Sequence, residues 1–73
     1  MKIITYKVTP NEMDGGYDVS CVGEEITNVW ALNEDSALLA FKAVVTEMYP
    51  EEAESAMLFF VDDQGEHHAD HHV

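Results

Sequence analysis

The residues best suited to bind a metal ion are four histidines near the end of the sequence. His67, His68, His71 and His72 surround Asp70 within one short segment. On a helix, His67 and His71 would be four residues apart, as would the other two, and this spacing can bind Zn²⁺ or Ni²⁺. No neighbouring segment is predicted to hold these ligands in place. We therefore expect no cofactor and no physiological metal site, and we keep a metal-binding tail as a third alternative.

The acidic residues are the second group that could do chemistry. The chain has 15 Asp and Glu residues against three Lys, which gives a formal net charge of −12. Carboxylates can hold two catalytic metal ions about 4 Å apart in a nuclease, provided that they lie at inward-facing strand positions. The first predicted strand, within Met1 to Thr9, contains no acid, and the acidic pairs fall at turns and element ends. We therefore expect a binding protein and not an enzyme.

The single cysteine is not expected to be a nucleophile. Cys21 alternates with Val19 and Tyr17 on one face of a predicted strand, so we interpret it as a small core residue. No histidine precedes His67 that could activate it. A single cysteine cannot form an internal disulfide, which fits a reducing compartment, and we expect a cytoplasmic protein.

The net charge narrows the classes of partner. Direct binding to nucleic acids or anionic membranes is excluded, because phosphate contacts need clustered cations and only Lys2, Lys7 and Lys42 are present. Duplex DNA carries one charge per about 1.7 Å of axis, or about 18 charges over 30 Å. A 73-residue domain with a net charge of −12 and a width of about 30 Å has about two-thirds of that density. Such a surface should attract a basic groove that is built for nucleic acid.

Alternating β-branched and aromatic residues predict the strands. The first covers Lys2 to Thr9 and the second covers Tyr17 to Cys21, with a turn-forming loop between them. Ile26 to Leu32 is predicted as a third strand or as a continuation of the second beyond a bulge, and Ala56 to Val61 is predicted as the last strand.

One helix is predicted between the third strand and the last. Asn33 is a suitable N-cap, and the helix should end near Met48, before Pro50. The resulting order, β-β-(β)-α-β, predicts an α+β fold in which one helix packs on one face of an antiparallel sheet of three to four strands. We expect residues 1–63 to form one acidic domain and residues 64–73 to form a flexible, histidine-rich tail.

The apolar positions of these elements predict one hydrophobic core between sheet and helix. Leu39 falls on the opposite side of the helix, and Trp30 lies near a strand end. These two side chains are candidates for a secondary apolar interface, and a homodimer through Leu39 and an edge strand is left open. The predicted core residues are Ile4, Tyr6, Val8, Val19, Phe41, Val45, Met57, Phe59 and Val61.

Three short motifs carry a family resemblance across residues 5–52. They are Tyr6-x-Val8, Gly15-Gly16-Tyr17-x-Val19 and Asn33-Glu34-Asp35-Ser36-Ala37. This stretch resembles the small HicB-type antitoxin domain, a cut-down RNase H-like fold with a Gly-Gly-Tyr hairpin and an acidic helix start. The resemblance implies an antitoxin that covers an RNase toxin. The expected absence of a DNA-binding domain after this region makes the antitoxin our second alternative.

The favoured function is that of a non-enzymatic inhibitor. The size and acidity of the chain resemble small phage proteins that disarm bacterial defence, including anti-CRISPR proteins. We expect it to bind a basic, nucleic-acid-handling protein and to block the surface that binds phosphate. The candidate contact residues, chosen as exposed acids, are Glu24, Glu25, Glu34, Asp35, Glu51, Glu52 and Glu54.

Overall fold

Four strands form one mixed sheet. The computed structural model describes residues 1–64. The pairing order is β3-β2-β1-β4; β1 pairs antiparallel with β2 and parallel with β4, and β2 pairs antiparallel with β3. The strands are β1 (Lys2–Pro10), β2 (Tyr17–Cys21), β3 (Val29–Ala31) and β4 (Leu58–Asp62).

Two helices connect β3 to β4. The long helix α1 (Glu34–Met48) begins after Asn33, whose side-chain oxygen accepts a hydrogen bond from the Ser36 backbone N–H at 2.8 Å. The predicted N-cap and helix end are therefore confirmed. A second, five-residue helix, α2 (Pro50–Glu54), occupies the acidic connection that was not predicted to be helical. Neither helix is long and apolar enough to cross a membrane.

The predicted α+β class is confirmed, with one difference in strand direction. A chain that leaves β3 and returns through a helix runs the next strand in the same direction as β3. Since β3 and β1 both run opposite to β2, β4 becomes parallel to β1. The sheet is therefore mixed, where an antiparallel sheet was expected.

The core lies between α1 and the face of the sheet that the helix covers. Phe41 is fully buried, and its ring centroid lies 6.3 Å from those of both Tyr6 and Phe60. Val8 and Cys21 pack against this core, as predicted. The buried residues are Ile4, Tyr6, Val19, Ile26, Ala37, Leu38, Phe41 and Val45.

The predicted face of the last strand is wrong. Met57, Phe59 and Val61 were expected in the core, but Leu58 and Phe60 are the residues that pack against it. A shift of one residue exchanges the two faces of a strand. Residues 57–61 are apolar at every position, so hydrophobic alternation cannot determine which face is buried.

The third strand is shorter than predicted. Only Val29–Ala31 pair with β2, although a strand was expected over Ile26 to Leu32. Ile26 is nevertheless buried from the preceding loop and belongs to the core. The apolar character of this segment therefore reflects burial that does not require strand pairing.

The β1–β2 hairpin depends on Gly16. Its φ of +73° lies in the region that favours glycine, and a Cβ atom here would lie 2.3 Å from the Ala31 carbonyl oxygen. The Trp30 indole N–H donates to the Gly15 carbonyl oxygen at 2.8 Å. The Gly-Gly pair therefore lets the loop pack closely against β3.

We expect Phe41→Ala to lower the free energy of unfolding by about 3–5 kcal/mol, because it leaves a cavity between Tyr6 and Phe60. Phe59→Ala is the matched control, since Phe59 is 40% exposed on the other face of the sheet, and it should cost about 1 kcal/mol. Urea denaturation of both variants measures the difference. Equal losses would contradict the assigned faces.

Candidate functional site

The candidate acids fall into two groups at opposite ends of α1. A 15-residue helix separates its ends by about 22 Å at 1.5 Å per residue. Glu34 and Asp35 are in the first turn of α1, at the end of the sheet where the β1–β2 hairpin lies. The others lie near the far end of α1, in α2 and in the loop after β2. The sequence therefore identified acids that the fold divides between two surfaces.

The first group, which we call the hairpin-end acids, consists of Glu12, Asp14, Glu34 and Asp35, and all four are exposed. β3 ends beside the start of β2, so the hairpin loop and the first turn of α1 lie at one end of the sheet. Glu12 and Asp14 were not identified from the sequence. The signal that could have located them was the predicted order of hairpin, β3 and helix, which brings the loop and the helix start to the same end.

Asn11 holds the hairpin loop in shape. Its side-chain oxygen accepts hydrogen bonds from the backbone N–H groups of Met13 at 3.0 Å and Asp14 at 2.9 Å. Its side-chain amide donates to the Asp18 carboxylate at 3.1 Å. These bonds form a turn in which Asn replaces a backbone acceptor, and they fix the part of the loop that carries Glu12 and Asp14.

Two large apolar side chains are exposed at the same end of the molecule. Met13 is 95% exposed in the hairpin loop, and Leu32 is 75% exposed just before the cap of α1. Protein interfaces commonly have a core of apolar side chains that is surrounded by a rim of polar ones. The hairpin end therefore combines negative charge with apolar contact area.

None of the three lysines lies at the hairpin end. Lys2 forms an ion pair with Glu24, and the Lys42 ammonium lies 5.4 Å from the centroid of the Phe60 ring. Lys7 is exposed on the face of the sheet that points away from α1. The positive end of the α1 dipole partly balances Glu34 and Asp35, but none of the three lysines does so.

The second group, the α2-end acids, consists of Glu24, Glu25, Glu51, Glu52 and Glu54. Glu25, Glu51 and Glu54 are exposed, whereas Glu24 and Glu52 are half-buried. Tyr49 joins α1 to α2 and donates its hydroxyl hydrogen to a Glu24 oxygen at 3.0 Å, so the loop after β2 contacts the helix junction.

Glu24 is held within the molecule. The Lys2 ammonium lies 2.8 Å from the same Glu24 oxygen and 4.7 Å from the centroid of the Tyr49 ring. The hydrogen bonds from Lys2 and Tyr49 lower the pKa of the Glu24 carboxyl, and the bond to Glu24 raises the pKa of the Lys2 ammonium. Glu24 therefore joins β1 to the helix junction, and its carboxylate is less available for contact with a partner.

The two candidate apolar residues do not form one patch. Leu39 is 71% exposed on the outer side of α1. Trp30 alternates with the core-facing Val29 and Ala31, so its side chain lies on the opposite face of the sheet, where it contacts the Gly-Gly turn. Any interface that uses both residues would have to contact two sides of the molecule.

Within residues 1–64, no group of three or more His, Cys, Asp or Glu side chains is arranged to hold a metal ion. The histidine cluster, His67 to His72, lies outside this described region. Comparisons with family models, curated proteins and solved structures found no match for this chain.

We expect Glu24→Gln to destabilise the protein at pH 7. The lowered pKa of Glu24 means that its ion pair stabilises the fold above the unfolded pKa and that this contribution is lost as pH falls through the folded value. The difference from the parent should therefore disappear in acid. Glu25→Gln is the control, since it removes the same charge from an exposed neighbour.

Thermal melting between about pH 3 and pH 7 measures this difference. The role assigned to Glu24 would be wrong if both variants melted at the same temperature throughout this range.

Proposed function

We propose that this protein is a non-enzymatic acidic inhibitor of a basic, nucleic-acid-handling protein. It occupies the partner's phosphate-binding surface and so excludes nucleic acid, in the manner of phage proteins that block bacterial defence effectors. The observation that carries this proposal is the exposed hairpin end. There the four hairpin-end acids have no lysine among them.

The contact residues of this proposal differ in their expected contribution to binding the partner. The hairpin-end acids make the principal contact, because no lysine lies among them and because Met13 and Leu32 add exposed apolar area beside them. Glu25, Glu51 and Glu54 extend the acidic surface at the other end of α1. Glu24 contributes least, since Lys2 and Tyr49 already bind its carboxylate.

The electrostatic character of this interface has a kinetic consequence. A net charge of −12 attracts a basic groove over several ångströms and accelerates association. Exposed charges are screened over about 8 Å at physiological ionic strength. Added salt should therefore slow association and leave the apolar contacts of Met13 and Leu32 less affected.

Two charge-matched variants test the assignment of the contact surface. One replaces Glu12, Asp14, Glu34 and Asp35 with their amides, and the other replaces Glu25, Glu51, Glu52 and Glu54. Both lose four negative charges, so any difference between them reports position and not net charge. We expect the first variant to lose more affinity than the second, by about tenfold or more.

The partner is obtained by capture from a host lysate at low salt on the immobilised parent chain. Duplex DNA or RNA should release it, and an equal mass of neutral dextran should not. Association rates of the purified partner are then measured against salt for the parent and both variants. Binding that is insensitive to salt, to both variants and to nucleic acid would reject the proposal.

A HicB-like antitoxin is the second candidate function. A strand, a hairpin that closes on Gly15-Gly16, further strands and then a helix follow one another in this chain, and this order supports the second candidate. The same acidic surface would then cover a small basic RNase. A toxin gene beside the gene for this chain, and recovery of RNase activity when the complex is dissociated, would favour this candidate over the anti-defence inhibitor.

A further inference from the structure

The strand β4 lies at an edge of the sheet, with β1 on one side and no strand of residues 1–64 on the other. The helix α1 packs closest to β2 and β3, toward the opposite edge. An edge strand presents a row of backbone N–H and C=O groups that can pair with a further strand. We call residues 57–61, which form most of β4, the edge segment.

The hydrogen bonds between β1 and β4 determine which backbone groups of the edge segment point outward. The Lys2 N–H donates to the Met57 carbonyl oxygen at 2.7 Å, and Lys2 is the register partner of Leu58. In a parallel pair, every second residue of a strand bonds to the same neighbour. The odd-numbered residues of β4 therefore bond to β1, and the backbone groups of Leu58 and Phe60 point to the outer edge.

The edge segment lacks the features by which proteins prevent strand edges from pairing. Those features are lysine or proline on the edge, or a bulge, whereas the register of β4 with β1 is continuous. Residues 55–61 contain no charge, proline or glycine. An uncharged segment of this length and of high β-propensity is typical of strands that pair with identical copies. At the other edge of the sheet, β3 is only three residues long.

We propose that the edge segment pairs antiparallel with the edge segment of a second copy of this chain, which joins the two sheets into one. A two-fold axis perpendicular to the sheet passes at Phe59, so Phe59 faces Phe59 of the second copy. Leu58 then faces Phe60 of the second copy, and each such pair exchanges two backbone hydrogen bonds. Met57 faces Val61 of the second copy, so every pair in the segment is apolar.

This pairing covers apolar side chains that are exposed in the single chain. On the face of the sheet opposite α1, Met57 is 42% exposed and Phe59 is 40% exposed. Side chains directly opposite each other in an antiparallel pair lie about 5 Å apart. The two Phe59 rings therefore meet at the axis, with Met57 and Val61 on either side of them. A second copy fits this edge at every position of the segment.

Acidic residues flank the edge segment at both ends. Asp62 and Asp63 follow it, and Glu54 precedes it. In the antiparallel pair, the end of each segment lies beside the start of the other, so these acids approach one another and repel. Charged residues in such flanking positions limit the self-association of an apolar strand.

The pair is expected to be weak and reversible. The seam is about 17 Å long, which is short for an interface, since stable ones bury about 800 Å² on each partner. Added salt should strengthen the pair, because it screens the repulsion between the flanking acids. Salt should weaken the proposed binding to a basic partner, so the two proposals can fail independently.

Amide hydrogen exchange of the full chain, measured by NMR at about 20 µM and about 1 mM, tests the edge directly. The Phe60 N–H points outward, whereas the neighbouring Phe59 N–H bonds to β1. We expect exchange of the Phe60 N–H to slow by about threefold or more at the higher concentration, and exchange of the Phe59 N–H to change less. Over the same range, the mass from sedimentation equilibrium should rise above 8.2 kDa.

Phe59→Lys and Ile3→Lys form a matched pair of variants. Ile3 is the register partner of Phe59 and is 51% exposed on the same face, so both variants add one positive charge to one surface. Ile3 lies on β1, one strand away from the seam. Phe59→Lys places two like charges at the axis and should abolish the rise in mass, whereas Ile3→Lys should retain it. Equal loss in both variants would indicate contact through the face and overturn the proposal.

Opposite charges at position 59 test the two-fold axis. Phe59→Glu should be monomeric by itself, as should Phe59→Lys. The mixture of the two should form a heterodimer, because the axis then joins opposite charges. Circular dichroism checks that each variant is folded, and the exchange experiment on the unaltered chain does not depend on any variant.

Two further results would overturn the proposal. The first is exchange of the Phe60 N–H at one rate at every concentration and salt level. If that rate were fast, the edge would be unpaired, and if it were slow, the edge would be covered within the single chain. The second is self-association that Phe59→Lys leaves unchanged, which would assign the contact to another surface.

Discussion

The packing of α1 on one face of the sheet is the constraint on which the other features depend. Phe41 is fully buried between Tyr6 and Phe60, and it joins the helix to the central strand β1 and the edge strand β4. A chain this short has enough apolar material for one such layer. Because only one helix crosses the sheet in residues 1–64, one face is packed and the other is not. The direction of β4 follows from the same crossing.

The packing of α1 on the sheet also determines where the charged residues lie. Strand and helix positions that face the core are apolar, and most acids of residues 1–64 lie in loops or near helix ends, with Asp18 on β2 and Asp62 on β4 as exceptions. At the start of α1, Glu34 and Asp35 lie at the positive end of the helix dipole. At the other end, α1 has no basic residue in its last turn, and α2 adds three acids nearby. Lys2 is the lysine that reaches this end, where it binds Glu24 and lies over the Tyr49 ring.

The parts of the fold that could be predicted are those that depend on local chemistry. Asn33 caps α1 through a hydrogen bond three residues away, and alternation along β1 fixed its buried face. The parts that could not be predicted depend on distant contacts or on ambiguous patterns. Phe59 and Phe60 are adjacent and both apolar, so the register of β4 was undetermined. Glu24 contacts a lysine that is 22 residues away in the sequence. Glu12 lies at the same end of the sheet as the start of α1 because β3 pairs with β2.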